Sequence, residues 1–411
     1  MAKFLTINTL KAYQNANLNR DQSGQTKTCI IGGTTRSRIS SQCQKHYWLK
    51  SDSFSKLEES SSSSQHFRTR EAFVQISNDL KKEFQGMGKE ALIDEYTTLA
   101  KKEILGAEKD VDAEKDVDKP TKAKQKKSLK ANKKKSDDQS QHSLTTSELL
   151  CISTHEMDAI KAVIRESLLS NDVSRIKSFD LKKLSYVLSI AISLAGKFNT
   201  AKNLDTIESS LAVNHSFSIH PMAIDYDYFT ANDDLKKDME QSGAAHLGFT
   251  DIASSIYYGF LVIDLDQYCK NRWQSSYDDV LNDQSKRDAF TFELDGFIKV
   301  VLNESSKSKR SSTAPSSRAS FCLMEISSTP HNLGCAFNSA IPNDENLMSN
   351  AYDRLIDFVK DYDDVYNTQN HPPRAYFGLG ASKQQKDAFE SDLHCTKISY
   401  DSIQSWLKAS L

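Results

Sequence analysis

The segment SIYYGFLVIDL, from Ser255 to Leu265, is apolar on both of its faces. A strand that borders water alternates apolar and polar residues; one without that alternation needs a cover on each face and a neighbour along each edge. The chain is therefore constrained to build a sheet around this segment. Two further strands fit beside it. In KFLTINTLKAY, residues 3–13, Phe4, Thr6 and Asn8 alternate with Leu5, Ile7 and Thr9, and SFCLMEIS runs from Ser320 to Ser327. Helical spacing follows in Arg287–Leu302 and Leu347–Val365. In IDYDYFT, Ile224 to Thr230, Tyr226 and Tyr228 alternate with Asp225, Asp227 and Phe229, a period-two pattern that suits an exposed ribbon. This order points to an α+β fold, with a small antiparallel sheet and helices on one face.

Between the first strand and the ribbon the pattern is helical. Phe73, Ile76, Leu80 and Phe84 recur at helical spacing within Arg68–Leu105. The capping box STHE at Ser153 starts a helix to about Leu169, and an apolar helix is expected over Leu181–Ala195. Its apolar run, around Tyr186 to Ala195, is half the roughly 20 residues needed to span a bilayer, so no membrane role is expected. Residues 51–65 are serine-rich and read as a flexible link. AEKDVD occurs twice in tandem from Ala107 to Asp118, and KPTKAKQKKSLKANKKKS then adds nine lysines. Such composition predicts an insertion without a packed core, at 106–142.

The stretch LNRDQSGQTKTCIIGGTTRSRISSQCQKHYWLK, residues 18–50, is basic in a chain of formal net charge −2. Arg20, Lys27, Arg36, Arg38, Lys45 and Lys50 face only Asp21. Gly32 and Gly33 mark a turn, and Ser41–Gln44 fits a capping box before a short helix ending near Leu49. That helix N-terminus would offer free N–H groups, with Ser40, Gln42 and Lys45 placed where a phosphate docks. Charge alone favours the plainer reading, a solvated surface. Enzyme and metal signals are weak: there is no HExxH, no Cys/His finger spacing, no Walker loop and no nucleophile elbow, and the seven cysteines form no CxxC pair. His215, His220 and the pair His155–Glu156 lack metal-ligand spacing. Neither a metal nor a cofactor is expected. Free thiols and an N-terminus without the layout of a secretory signal point to the cytoplasm.

Two separated blocks resemble one family. LNRD at 18–21, Lys27, IGG at 31–33, RxRISSQ at 36–42 and Lys45 are similar to the N-terminal signature of the CasC family, the backbone subunit of the type I-E CRISPR surveillance complex, Cascade. DYDYFTANDDL at 225–235, followed by SGAAHLG at 242–248, is similar to that family's second block. Gly196-Lys197-Phe198, where the family has Gly-Arg-Met, and KSKRSSTAPSSRASF at 307–321 are weaker matches.

The resemblance implies a right-hand shape: an RRM/ferredoxin-like palm (1–57 and 255–411, the latter with the C-terminal helices), inserted helical fingers (58–195) and a β-ribbon thumb (196–254). It implies a noncatalytic subunit, several copies of which line up head-to-tail along one CRISPR RNA, hold its sugar-phosphate backbone and kink it at intervals, so that the guide pairs with target DNA in antiviral defence. Large, small, 5'-end cap and guide-processing subunits are the implied partners. Asn19, Arg20, Lys27, Arg38, Ser40, Gln42, Lys45 and Lys50 would contact the RNA from the palm. Phe198, Tyr228, Phe229, Thr230 and His246 would do so from the thumb, with Lys309 and Arg310 as additional contacts. Thr34, Thr35 and His46 depart from the family pattern and imply a weaker grip. The competing implication is a type III-like subunit that cuts target RNA with Asp21, against which stands the ordinary role of Asp in a turn.

Overall fold

The computed structural model describes residues 3–61, 65–106, 143–184, 187–199, 204–231, 246–366 and 371–411. The repeat and lysine block expected as an insertion lie outside the described residues. Twelve strands occur among the described residues: β1 (Phe4–Ala16), β2 (Thr28–Ile31), β3 (Thr34–Ile39), β4 (His66–Thr69), β5 (Leu150–Ser153), β6 (Leu211–Val213), β7 (Ser216–Ser218), β8 (Asp225–Ala231), β9 (His246–Asp264), β10 (Ala319–Ser327), β11 (Arg374–Gly378) and β12 (Cys395–Lys397). The chain divides into two compact units, one of residues 1–62, 193–195 and 209–411, the other of 63–192 and 196–208.

The first unit is built on the sheet β12-β11-β10-β1-β9-β7-β3-β2, with β6 and β8 also pairing with β9. β1 runs antiparallel between β10 and β9, so that Ile7 faces Met324 on one side and Leu261 on the other. β9 spends its two halves differently. Residues from Ala253 to Asp264 pair with β1, and those from His246 to Ile252 pair with β8 in the ribbon.

Both faces of this sheet are covered, a difference from the one-sided sandwich expected. Leu10, Tyr258, Phe321 and Leu323 pack with Tyr352, Leu355 and Val359 of the helix Leu347–Tyr366. The next residue of β1, Lys11, points to the opposite face. Its ammonium donates to the carbonyls of Val301 (2.7 Å) and Glu304 (2.8 Å), at the end of the helix Gln284–Asn303. Burial pushes the Lys11 pKa down to about 7. The double cover answers the absence of alternation in β9: Tyr257, Tyr258, Leu261 and Ile263 are all buried.

Further ties come from buried charge. Arg374 on β11 donates to Glu325 of β10 (2.7 Å) and to both carboxylate oxygens of Asp363 (2.5 and 2.8 Å), fastening the helix Leu347–Tyr366 to β10 and β11. Arg272, in the helix Leu265–Trp273, pairs with Glu293 at 2.7 Å. Residues 52–60, expected as a flexible link, form a helix, because Ser51 caps it and Phe54 and Leu57 bury one face, the Phe54 ring meeting Phe297 edge-on.

The second unit holds the β4–β5 pair and the helices Ala72–Glu83, Glu90–Leu105 and Thr154–Ser170. Phe73, Ile76, Leu80 and Phe84 are buried in one core with Ile93, Ile160 and Ile164. Ser153 and Glu156 make the expected capping box. The helix expected over 181–195 is instead one turn, Leu181–Lys183, and a short helix, Ile190–Ala195. Ser189 starts the latter by accepting from the Ile192 N–H, the competition with helix continuation that serine side chains offer.

The Arg272–Glu293 pair gives a test. Arg272→Leu leaves a buried carboxylate unmatched and is expected to cost about 3–5 kcal/mol in denaturant unfolding, whereas Arg272→Leu with Glu293→Leu costs less than Arg272→Leu alone. A double variant at least as unstable as the single one would contradict this account.

Candidate nucleic-acid interface

The basic loop is fixed mainly by its own backbone and amide groups. Asn19 is the hub: its carbonyl accepts from the Lys27 N–H (2.8 Å) and its side-chain oxygen from the Ser40 N–H (3.0 Å). The Lys27 carbonyl in turn accepts from the Arg38 N–H (2.8 Å). Four of the residues expected to act together are thereby brought together. Arg20 bridges to Thr26 across the turn and is exposed, as are Gln42 and Lys50; Lys27, Arg38 and Lys45 are half-buried. Asp21 closes the turn, its Oδ1 accepting from Ser23 N–H, Ser23 hydroxyl and Gln25 N–H at 2.8–3.0 Å. These bonds, the Ser23 hydroxyl first, hold its carboxyl below the usual range.

The helix N-terminus differs from the expected anion site. The cap is Ser40 rather than Ser41, and its hydroxyl accepts from the Cys43 N–H at 3.2 Å. The Ser41 N–H donates to His215 Nδ1 at 3.1 Å. Two of the first-turn donors are thus already met inside the protein, and Ser40 is buried. His215 accepts at Nδ1, so its proton sits on Nε2; burial, then Arg38 and Lys27, lower its pKa. Lys45 donates to the Leu211 carbonyl at 2.8 Å, and burial lowers its pKa. Arg36 is wholly buried, donating to the carbonyls of Ser218 and Phe337, so this charge belongs to the core.

A distant segment completes the surface. Ser308 and Ser306 donate to the carbonyls of Asn17 (2.7 Å) and Leu18 (3.0 Å), which sets Lys309 and Arg310 beside the loop's entry. Asn17, also buried, donates to the Asp251 carbonyl on β9 at 3.1 Å and ties the loop to the ribbon strand.

On the ribbon, Tyr228 lies opposite Phe249 and Tyr226 opposite Asp251, so Tyr226, Tyr228 and Phe249 share a face. Their exposures are 66%, 63% and 73%, and Tyr226 meets Phe249 edge-on at 6.3 Å. Phe229 takes the other face, lying across Gly248, where a Cβ would stand 2.4 Å from the ring. Thr230 is exposed, whereas the side chain of His246, the first residue of β9, lies outside the described residues. The alternation in IDYDYFT places Tyr226 beside Tyr228, as found, but the candidate contacts include neither Tyr226 nor Phe249; the alternation of HLGFT opposite DYDYFT carries the signal for Phe249. Phe198 belongs to the second unit and is 75% exposed. Among the described residues, no group of three or more His, Cys, Asp or Glu side chains is placed to hold a metal ion. No described helix is long and apolar enough to cross a membrane.

His220, buried behind the loop, gives a pH test. Its Nδ1 hydrogen points to the Pro221 carbonyl (2.9 Å) and its Nε2 accepts from the Ile256 N–H (3.2 Å), a neutral ring whose pKa burial lowers. The unfolded imidazole takes a proton near 6.5 and the folded one only at lower pH, so the unfolded state binds more protons in between. Stability is expected to fall as pH drops from about 6.5 to the folded value, and His220→Asn should flatten that slope in pH-dependent melting. An unchanged slope in the variant would show that the loss arises elsewhere.

Chains of several solved structures share the fold, two of them over nearly the whole chain. A chain of a "CRISPR RNA-guided surveillance complex, pre-nicking" aligns with a TM-score of 0.71 at 16% identity, covering 99% of this chain and 100% of that one. A chain of a "CRISPR RNA-guided surveillance complex" aligns with a TM-score of 0.61 at 15% identity, covering 99% of each. No curated protein matches the sequence. The family model described as "CT1975-like protein" matches residues 5–406, nearly the whole chain. The chain therefore belongs to the CT1975-like protein family, Cas_CT1975.

Proposed function

We propose that this chain is the noncatalytic backbone subunit of a type I-E Cascade complex, repeated head-to-tail along a CRISPR RNA whose sugar-phosphate backbone it holds. The observation that carries the reading is the pairing, within one unit, of a basic loop with an aromatic ribbon. The loop exposes Arg20, Gln42 and Lys50, and the ribbon exposes Tyr226, Tyr228, Phe229 and Phe249. The full-length likeness to chains of RNA-guided surveillance complexes supports it.

The division of chemistry suits a guide binder. A subunit repeated along a guide meets a different sequence at every position, so its affinity has to come from phosphates and sugars. Cations and amides supply that. Aromatic groups interrupt the stack at intervals, and stacking returns about 1–3 kcal/mol per base whatever the base is. The bases between the wedges stay open to target DNA. A head-to-tail contact whose rotation does not close gives an open helix of copies, with the large, small, cap and guide-processing subunits completing the cytoplasmic complex. The bonds of Asp21 to its own turn favour a structural carboxylate over a cleaving one.

The test is co-expression with a CRISPR array and the other subunits. Several copies recovered on one RNA of uniform length is the expected result, and an RNA-free monomer would sink the reading. Replacing Arg20 or Lys27 by Ala should each lower the salt dependence of guide release by about 0.7 in log–log slope, the contribution of one phosphate contact to a single strand. Purified complex is expected to leave guide-complementary RNA uncut; cleavage that Asp21→Ala abolishes would reverse the proposal.

A further inference from the structure

We infer that the Lys11 ammonium is a latch for nucleic-acid binding: it holds the end of the helix Gln284–Asn303 so that the segment after it carries Lys309 and Arg310 beside the basic loop. Lys11 is itself buried and is a positioning residue, acting through that pair. The inference rests on the guide-binding reading and deepens it.

A lysine in the middle of a core strand needs a physical reason, since a buried charge is costly unless it is well bonded. The Lys11 bonds go to the carbonyls of Val301 and Glu304. Val301 lies in the last turn of its helix, where carbonyls lack partners within the helix and the negative end of the dipole favours a cation. An apolar side chain would fill the core but leave those carbonyls unmatched. The ammonium therefore fixes where the helix stops and how the chain leaves it. That chain then follows β1 toward the basic loop. The Tyr13 hydroxyl donates to the Ser305 hydroxyl at 3.1 Å, and Ser305 to the Ser317 carbonyl at 2.8 Å. Ser306 and Ser308 continue the seam onto Leu18 and Asn17.

The segment so held is strained. Lys309 has a φ of +58° and Ala314 one of +47°, left-handed backbone that disfavours any residue with a Cβ. Such strain persists only where the surroundings over-determine it, and it collects at functional sites. Arg310, exposed, and Lys309, half-buried, stand on this stretch. The latch is strongest while the amine is charged, because charge-assisted bonds are about twice as strong as neutral ones. Burial places the loss of that proton at about 7, so Lys11 is charged below that pH and neutral above it. Around the amine stand Glu304 from the helix end, Cys322 from β10, Tyr13 from β1, Tyr47 from the helix Ser41–Leu49 and Tyr257 from β9. Burial pushes the thiol and all three tyrosines up, away from that pH.

The test uses the complete complex purified with its guide, and the salt dependence of guide release. Lys309→Ala with Arg310→Ala is expected to lower the log–log slope by about 1.4, two single-strand phosphate contacts at about 0.7 each. Lys11→Met should reproduce much of that loss at a pH of about 6. It should add nothing to the Lys309→Ala, Arg310→Ala pair, yet add fully to Arg20→Ala, since it acts through that pair alone. In the wild type the slope is expected to fall as pH rises from about 6 to about 8.5, and in Lys11→Met to stay constant. Tyr13→Phe unties Ser305 alone and should move the slope the same way, which keeps a test in hand if Lys11→Met does not fold. Three results overturn the inference while leaving guide binding intact: a wild-type slope in Lys11→Met, or in Tyr13→Phe where Lys11→Met does not fold; a loss that adds to that of the Lys309–Arg310 pair; or a wild-type slope indifferent to pH. A wild-type complex that carries no RNA would overturn guide binding and this inference together.

Discussion

The sheet unit depends on β9 having hydrogen-bonding neighbours on both edges while both faces of its second half are apolar. Nineteen residues run from His246 to Asp264; one stretch is locked between β1 and β6–β7, and the other pairs with β8. Because side chains alternate strictly along a strand, the register that buries Tyr258 and Leu261 also decides which ribbon residues share a face. A one-residue slip would turn Phe249 to the face of Phe229 and expose the core. The ribbon's aromatic face is therefore specified by core packing some ten residues away.

Charge obeys the same sorting. The sequence counts every Lys and Arg alike, yet folding buries some, half-buries others and leaves the rest exposed. Lys11, Arg36, Arg272 and Arg374 are buried, each bonded to carbonyls or carboxylates that water would otherwise have solvated. Arg20, Lys50 and Arg310 remain exposed. Arg36 and Arg38 sit two apart on β3 and differ in burial: Arg36 wholly so, Arg38 half, and only Arg38 is tied into the loop cluster through its N–H. No local pattern marks the difference; it arises because the carbonyls of Ser218 and Phe337, far away in sequence, converge on Arg36.

Periodicity located β1, β8, β9, β10 and the two long helices after the strands, since long elements with one or two apolar faces repeat their pattern many times. The Ser153 box was legible because both partners lie within four residues. Short elements were not: β6, β7, β11 and β12 have three to five residues each, and the Ser51-capped helix hides two buried apolar residues among serines. Within the loop the residue types were readable but their engagements were not, since Lys45 meets Leu211 and Ser41 meets His215 across some 170 residues of chain. Phe249 stayed hidden because its partners on β8 are fixed by pairing, not by proximity in sequence.

The side-chain amide of Asn17, the residue after β1, donates to the Asp251 carbonyl just where β9 leaves the central sheet for the ribbon, while Ser308 donates to the Asn17 carbonyl from the segment before β10. Three pieces of chain that carry the basic loop, the ribbon and Lys309–Arg310 thus meet at one buried residue. A ligand held by the loop cannot shift relative to the base of the ribbon without breaking buried amide hydrogen bonds, and leaving such groups unpaired costs about 1–3 kcal/mol each. The spacing between the basic loop and the aromatic face of the ribbon is in this way set by the fold before any ligand arrives.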